Sequence, residues 1–109
     1  MPTVYKVLGQ TEPSATTATT LYTVPASTST IVSSISICNR AAADATFRIS
    51  IRPAGAAQAD QHYLAFDAPV ITKDTIILTV GITLAATDVI TVYSSNADTA
   101  FQAFGSELS

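Results

Sequence analysis

His62 and Cys38 are the single histidine and the single cysteine of this 109-residue chain, and they are its first candidates for chemistry. A Ser–His–Asp triad would have to use His62, with Asp60 two residues before it. No serine, however, stands in a Gly-x-Ser-x-Gly turn. Cys38 follows Ile37 in an apolar stretch, and no basic residue adjoins it in the strand pattern, which favours a small buried hydrophobe over a reactive thiol. The sequence therefore predicts no catalytic residue and no enzyme.

Metal ligands and cofactor motifs are also sparse. The densest group of ligand-type side chains is Asp60, His62 and Asp67, but loops that bind hard cations supply several carboxylates at close spacing around a glycine. A lone cysteine excludes a cysteine-based zinc site. The four glycines are dispersed, so none forms a phosphate-binding loop. We expect no metal, no cofactor and no small-molecule substrate.

Arg48 and Arg52 are the most suggestive charged residues. They alternate with Phe47, Ile49 and Ile51, which places both arginines on the outward face of a strand, about 13 Å apart. Guanidinium groups suit bidentate contacts with carboxylates. Two interpretations remain open: a solvated strand face with cross-strand partners, or a docking face for an acidic partner. Arg48 and Arg52 are thus the candidate partner-docking residues.

The apolar residues that surround these candidates recur every two positions, as in β-strands, rather than every 3.6 positions, as in helices. The clearest alternation runs through Phe47–Arg52, and Ile31–Cys38 is rich in β-branched residues. About eight short strands separated by turns predict one all-β domain over residues 1–109, an antiparallel β-sandwich of jelly-roll or immunoglobulin-like type, or a small barrel. The remaining candidate strands are Val4–Leu8, Thr20–Val24, His62–Phe66, Thr75–Val80, Asp88–Tyr93 and Ala100–Gly105.

Further expectations concern three connections and the core. Ala54–Gln61 could wind into a short helix, Asp67-Ala68-Pro69 is a turn signal, and Thr11–Thr20 is a low-complexity arm or irregular loop. The alternation places these residues in the core: Val7, Ile35, Ile37, Phe47, Ile49, Ile51, Leu64, Ile77, Val89 or Ile90, and Phe101.

Composition excludes several classes of protein. Apolar residues make up 48% of the chain and charged residues only 12%, which is incompatible with intrinsic disorder. A net charge of −3 argues against nucleic-acid binding. No apolar run approaches the ~18 residues of a membrane helix, and the N-terminus lacks the features of a signal peptide. The N-terminal residues therefore favour synthesis in a cytoplasm. The low charge favours a homo-oligomer, because few like charges are available to keep monomers apart.

Seven stretches of the chain together carry a resemblance to a known family, and they extend over nearly the whole chain. They are Tyr5–Gln10, Leu21–Ala26, Val32–Ile35, Cys38–Arg40, Phe47–Gly55, Leu84–Ile90 and Phe101–Glu107. In these stretches the sequence resembles a family of small bacteriophage and prophage proteins encoded among virion structural genes. Related sequences often carry Gly-Asp where this one has Thr87-Asp88.

The resemblance implies a structural role. Family members with an assigned role look like cement (decoration) proteins on the outside of the capsid, and such proteins are commonly trimeric. It therefore implies a non-enzymatic homotrimer that binds the major capsid protein at the virion surface after synthesis in the bacterial cytoplasm. The alternatives are a tail, neck or fibre-head protein, or a phage-encoded binding module; a sugar-binding domain is disfavoured because there is no tryptophan and the four tyrosines are scattered.

Overall fold

Eight β-strands make up most of the protein in a computed structural model that describes residues 3–109. Each of the eight predicted strands is present, in the predicted order. The strands are β1 (Thr3–Thr11), β2 (Thr19–Thr23), β3 (Ser29–Asn39), β4 (Ala45–Arg52), β5 (Tyr63–Val70), β6 (Thr75–Leu84), β7 (Val89–Ser94) and β8 (Thr99–Leu108).

The strands form two four-stranded antiparallel sheets. Sheet I has the order β1-β8-β3-β6, and sheet II has the order β2-β7-β4-β5. Apart from the β4–β5 connection, consecutive strands lie in different sheets, which is the strand order of a jelly roll. The all-β sandwich prediction is confirmed, and the strand order selects the jelly roll over the immunoglobulin-like alternative. No helix in residues 3–109 is long and apolar enough to span a membrane.

The core lies between the two sheets, and most of the predicted core residues are in it. Ile35, Ile37, Phe47, Ile49 and Phe101 are at most 2% exposed. Both candidates at positions 89 and 90 are buried, and Ile51 packs against the core while half-buried. The Phe47 and Phe101 rings meet edge to face with centroids 6.3 Å apart, a favourable geometry that joins the two sheets.

Three core predictions are wrong, because alternation fixes the spacing of inward residues but not always the phase. Val7, Leu64 and Ile77 are 47%, 52% and 64% exposed. In the run Ile76-Ile77-Leu78 either phase buries apolar side chains, and the structure turns Ile76 and Leu78 inward. Leu8 and Ala65 similarly take the inward positions beside Val7 and Leu64.

A bulge in β3 changes the phase within a single strand. Simple alternation through Ile31–Cys38 would place Ile31 on one face with Ile35 and Ile37, but Ile31 is 43% exposed. The pairing of β3 with both of its neighbours shifts between Val32 and Ser34, so Val32 points inward and Ile31 outward. An extra residue in one strand reverses the alternation beyond it.

The connections differ from prediction at two places. The expected turn at Asp67-Ala68-Pro69 is instead a bulge inside β5, where Asp67 has a positive φ of 51° and the pairing with β4 shifts. No α-helix forms over Ala54–Gln61; two short 3₁₀ turns, Pro53–Gly55 and Asp60–His62, overlap the ends of this segment. Of the Thr11–Thr20 segment, residues 12–18 form the irregular β1–β2 connection, while Thr11 ends β1 and Thr19 and Thr20 begin β2. The Thr16 amide anchors this connection by donating to the Ser94 carbonyl at 2.8 Å.

The β6–β7 turn holds a β-branched residue in a conformation that favours glycine. Thr87 has a φ of 69°, and the Asp88 amide donates to the Ala85 carbonyl at 3.2 Å to close the turn. We expect Thr87→Gly to raise the free energy of unfolding by about 1 kcal/mol, because the left-handed conformation costs a residue with a Cβ about 1–2 kcal/mol and glycine offsets part of this through backbone entropy. Thermal or urea unfolding followed by circular dichroism measures the change. Ala86→Gly is the matched control, since Ala86 lacks a positive φ, and it should destabilise; equal effects of the two changes would contradict the explanation.

Candidate binding surfaces

The outer face of sheet II positions Arg48 between aromatic rings. The Arg48 Cζ atom lies 4.2 Å from the ring centroids of both Phe66 and Tyr93. Its Nε donates to Asp67 Oδ1 at 2.6 Å and its Nη2 to Asp67 Oδ2 at 3.3 Å, a bidentate contact. This hydrogen bonding raises the pKa of the Arg48 guanidinium above its ordinary value. Arg48 faces outward as predicted, but its charge is already paired within the chain.

Arg52 supports a loop on the same face. Its Nε donates to Thr91 Oγ1 at 3.0 Å, and its Nη1 donates to the carbonyls of Ala56 at 3.0 Å and Gly55 at 3.4 Å. These contacts hold the segment that follows β4 against the outer face of sheet II, at β7. Because both arginines are engaged in this way, reversing their charge would disturb local structure as well as any docking contact. The first interpretation, an outward strand face with cross-strand partners, holds for Arg48, which pairs with Asp67 of the neighbouring strand β5. The second, a docking face for an acidic partner, stays a hypothesis.

A hollow of about 210 Å³ lies beside Arg48, between the outer face of sheet II and the segment that follows β4. Ser50 closes part of it by donating to Gln58 Oε1 at 2.7 Å. Tyr63, which also borders the hollow, meets Phe66 edge to face with centroids 4.8 Å apart. The lining residues are Thr16, Ala18, Arg48, Ser50, Gln58, Tyr63, Thr91, Val92 and Tyr93.

The aromatic residues around Arg48 were missed by the sequence analysis, which treated the tyrosines as scattered. Tyr63 and Tyr93 are 30 residues apart in the chain, and they border the same hollow because β4 pairs with β5 on one side and β7 on the other. The direct pairing of Arg48 with Tyr93 follows from this register. Of these residues, the sequence predicts an outward direction for Arg48 alone.

The outer face of sheet I has the opposite character, because no charged side chain points from it. β3 and β6 contain no charged residue, and the charged residues of β1 and β8 are Lys6 and Glu107. Alternation turns both of these toward the inner side, on the face that carries Leu8 and Ala103. We call the central outward residues of sheet I the uncharged face: Tyr5, Val7, Ile31, Ser34, Ser36, Ile77, Thr79, Gly81, Thr83, Gln102, Phe104 and Ser106.

Lys6 and Glu107 are held at the open end of the sandwich by a polar network. Lys6 Nζ lies 3.2 Å from Glu107 Oε1, and the buried Tyr22 hydroxyl donates to Glu107 Oε2. That hydroxyl is also 2.8 Å from Thr30 Oγ1. Burial, together with the neighbouring carboxylate, raises the pKa of Tyr22 to about 12, and the hydrogen bond from Tyr22 lowers the pKa of Glu107. The network keeps the charges of sheet I away from the uncharged face.

The remaining candidate residues occupy structural positions. His62 Nδ1 accepts a hydrogen bond from the Ala59 amide at 3.2 Å, closing the turn before β5. Cys38 is half-buried, paired with Thr75 and Ala100 on the outer face of sheet I, so it is less buried than the predicted small buried hydrophobe. Across residues 3–109 no three His, Cys, Asp or Glu side chains come together as metal ligands would.

Comparison with known proteins adds no assignment, since no family model and no curated protein matches this chain.

Proposed function

We propose that the protein is a non-enzymatic virion structural protein, a cement protein that binds the major capsid protein of a bacteriophage and stabilises the head. It acts as a homo-oligomer, a trimer, on the capsid surface after folding in the bacterial cytoplasm. The trimer and the capsid partner come from the resemblance of the sequence to small phage virion proteins. The uncharged face of sheet I is the observation that best supports a role based on protein contacts.

The uncharged face is suited to burial against protein. Hydroxyl side chains such as Ser34, Ser36 and Thr79 lose little rotamer freedom on burial, and no charge has to be desolvated. Exposed apolar residues among them, Tyr5 at 84% and Ile77 at 64%, supply area whose removal from water is favourable. Depletion of charged residues is also typical of the centre of protein–protein interfaces.

The fold is compatible with this role, since jelly rolls recur in viral capsid domains as well as in lectins and cupins. Because proteins of many functions share this fold, the fold alone does not distinguish among those functions. The surface of sheet II, which carries Arg48 and Arg52, is the second protein-facing surface that a cement protein needs. Asp67 neutralises Arg48, so a capsid contact there would compete with an existing ion pair.

Copy number on purified particles tests the proposal. Gel densitometry of the protein against the major capsid band should give a copy number of the same order as the capsid protein, and the protein should remain on heads separated from tails. The hollow beside Arg48 favours a second candidate, a tail, neck or fibre-head protein or a phage-encoded binding module that uses its aromatic lining. A few copies per particle that leave with the tails would support that second candidate and contradict the cement role.

A further inference from the structure

A second hollow, of about 300 Å³, adjoins the hollow at Arg48. It is lined by Asp60, Tyr63 and Phe66, so we call it the Asp60 hollow and its neighbour the Arg48 hollow. Tyr63 borders both, which makes this one aromatic side chain the boundary between them. We call the two hollows together the Tyr63 groove.

The Arg48 hollow is held in shape by hydrogen bonds within the chain. The β1–β2 connection contributes Thr16, whose amide donates to the Ser94 carbonyl at 2.8 Å. The β4–β5 connection contributes Gln58, which accepts from the Ser50 hydroxyl at 2.7 Å. Because both connections are already fixed, a ligand would bind with little cost in ordering the protein.

Aromatic side chains line the whole groove. Tyr93 lines the Arg48 hollow, Phe66 lines the Asp60 hollow, and Tyr63 lines both. The electron-rich face of an aromatic ring attracts positively polarised C–H bonds, and the ring is rigid enough to lose little freedom on contact. A sugar ring presents such C–H bonds on its face and hydroxyl groups around its edge. In the sequence, scattered tyrosines argue against sugar binding, but the sheet brings two of the four to one groove.

Several polar groups of the groove have hydrogen-bonding capacity left over. Arg48 uses Nε and Nη2 on Asp67, while its Nη1 has no acceptor among residues 3–109. The Asp60 carboxylate and the hydroxyls of Tyr63 and Tyr93 make no hydrogen bond to other side chains or to backbone within the same residues. The groove therefore offers a ligand one donor nitrogen, one carboxylate and two hydroxyls.

These groups select an uncharged ligand that carries hydroxyl groups. Asp67 neutralises Arg48, and the Asp60 carboxylate repels anions, so neither hollow attracts a negatively charged ligand. The guanidinium only donates and the carboxylate only accepts, so the ligand must supply both acceptors and donors. Hydroxyl groups do both, whereas a proline-rich peptide, another common ligand of aromatic grooves, offers mainly carbonyl acceptors.

We propose that the Tyr63 groove binds a neutral carbohydrate chain, with one sugar ring in each hollow and Tyr63 between them. Pockets that enclose drug-sized ligands measure about 300–1,000 Å³, and each hollow lies at or below the lower end of that range. Each hollow therefore takes a unit of the size of one sugar ring, and filling both requires linked rings. This inference goes beyond the cement role and assigns a ligand class to the hollow that favours the second candidate.

A panel of neutral tetrasaccharides built from glucose, galactose, mannose and N-acetylglucosamine tests the site. Saturation-transfer NMR identifies the members that bind, and isothermal titration calorimetry measures their affinity. At least one tetrasaccharide should bind about tenfold more tightly than its monosaccharide, because it reaches both hollows. Its affinity should not depend on salt concentration, because a neutral ligand forms no ion pair. Binding of no member, or equal affinity for the monosaccharide, would overturn the proposal.

Two tyrosine substitutions locate the site. Tyr63→Ala should weaken binding of the tetrasaccharide about tenfold, because the ring that contacts both sugars is lost. Tyr5→Ala is the matched control, since it removes the same atoms from an 84% exposed side chain on sheet I, and it should leave the affinity unchanged. Tyr63→Phe keeps the ring and should lose less affinity than Tyr63→Ala. Equal affinities of Tyr63→Ala and Tyr5→Ala would contradict the site.

Asp60→Ala keeps the test independent of folding. The Asp60 side chain is exposed and makes no hydrogen bond within residues 3–109, so its removal should leave the melting temperature by circular dichroism unchanged and still weaken tetrasaccharide binding. An unchanged affinity of this variant would exclude the Asp60 hollow. A proline-rich peptide and an acidic peptide are titrated in parallel, and binding of either in place of every tetrasaccharide would identify a peptide site and overturn the proposal.

The outcome is separable from the cement role, because glycan binding is measured on the free protein and copy number on purified particles. A protein present in as many copies as the capsid protein that binds no tetrasaccharide overturns the glycan site and leaves the cement role standing. A protein that binds tetrasaccharides through Tyr63 but is present in a few copies supports the glycan site and contradicts the cement role.

Discussion

Replacing Phe101 with alanine is expected to lower the free energy of unfolding by about 3–5 kcal/mol. Phe101 is fully buried, lies on β8 of sheet I, and contacts Phe47 of sheet II edge to face. Its loss removes apolar contacts from both sheets and leaves a cavity that paired strands cannot close. Because small domains are stable by only about 5–15 kcal/mol, much of the total stability would be lost. Urea unfolding monitored by circular dichroism measures the difference.

Phe66→Ala is the matched control for Phe101, since it removes the same atoms from a ring that is 56% exposed. It loses the contact with Arg48, a cation–π interaction of about 0.5–1 kcal/mol at exposed sites, so a loss of about 1 kcal/mol is expected. Similar losses for the two variants would contradict the placement of the core between the sheets.

Replacing Asn39 with alanine is expected to cost about 2–4 kcal/mol although it removes no apolar group. The Asn39 side chain is fully buried. Its Nδ2 donates to the carbonyls of Ala43 at 2.9 Å, Val70 at 3.2 Å and Ile71 at 3.3 Å, and its Oδ1 accepts from the Ala41 amide at 3.0 Å. One amide thus ties the β3–β4 connection to the end of β5, and its removal leaves buried backbone groups without partners.

Asn39→Asp distinguishes lost hydrogen bonds from lost packing. Aspartate keeps the shape and the acceptor but presents a buried carboxylate to carbonyl oxygens, so its pKa should be raised in the folded state. A raised pKa makes the variant most stable below the pKa of the unfolded chain, about 3.9, and progressively less stable as the pH rises above it. The deficit relative to the parent should therefore shrink on acidification, measured as the midpoint of urea unfolding against pH. A deficit independent of pH would contradict the hydrogen-bond explanation.

The strand content of the protein could be predicted from sequence because alternation is a local property. Phe47–Arg52 shows why: each inward residue is apolar and each outward residue is polar, so only one phase buries the core. The run Ile76-Ile77-Leu78 lacks that contrast, and Ile31–Cys38 contains a bulge. In both places the phase was decided by packing against other strands, which a local pattern does not describe.

For the candidate binding residues, too, the local sequence predicts the direction of a side chain but not its partners. The outward direction of Arg48 was predictable, but its partners Asp67, Phe66 and Tyr93 come from β5 and β7, on either side of β4. The absence of charge on one whole face of sheet I was likewise invisible until β1, β8, β3 and β6 were known to be neighbours.

Alternation and composition were enough to predict the number and order of the strands, the scarcity of charge and the low density of catalytic or ligand-type groups. The tertiary structure decided which strands are adjacent, which phase of ambiguous strands faces inward, and hence which side chains share a surface. The physical reason is that side-chain direction repeats every two residues along a strand, whereas strand adjacency depends on the burial of whole faces between sheets. Gly81 illustrates the division: the sequence shows a glycine within a strand, and only the pairing of β3 with β6 shows that this glycine lies in a bulge opposite Ser33.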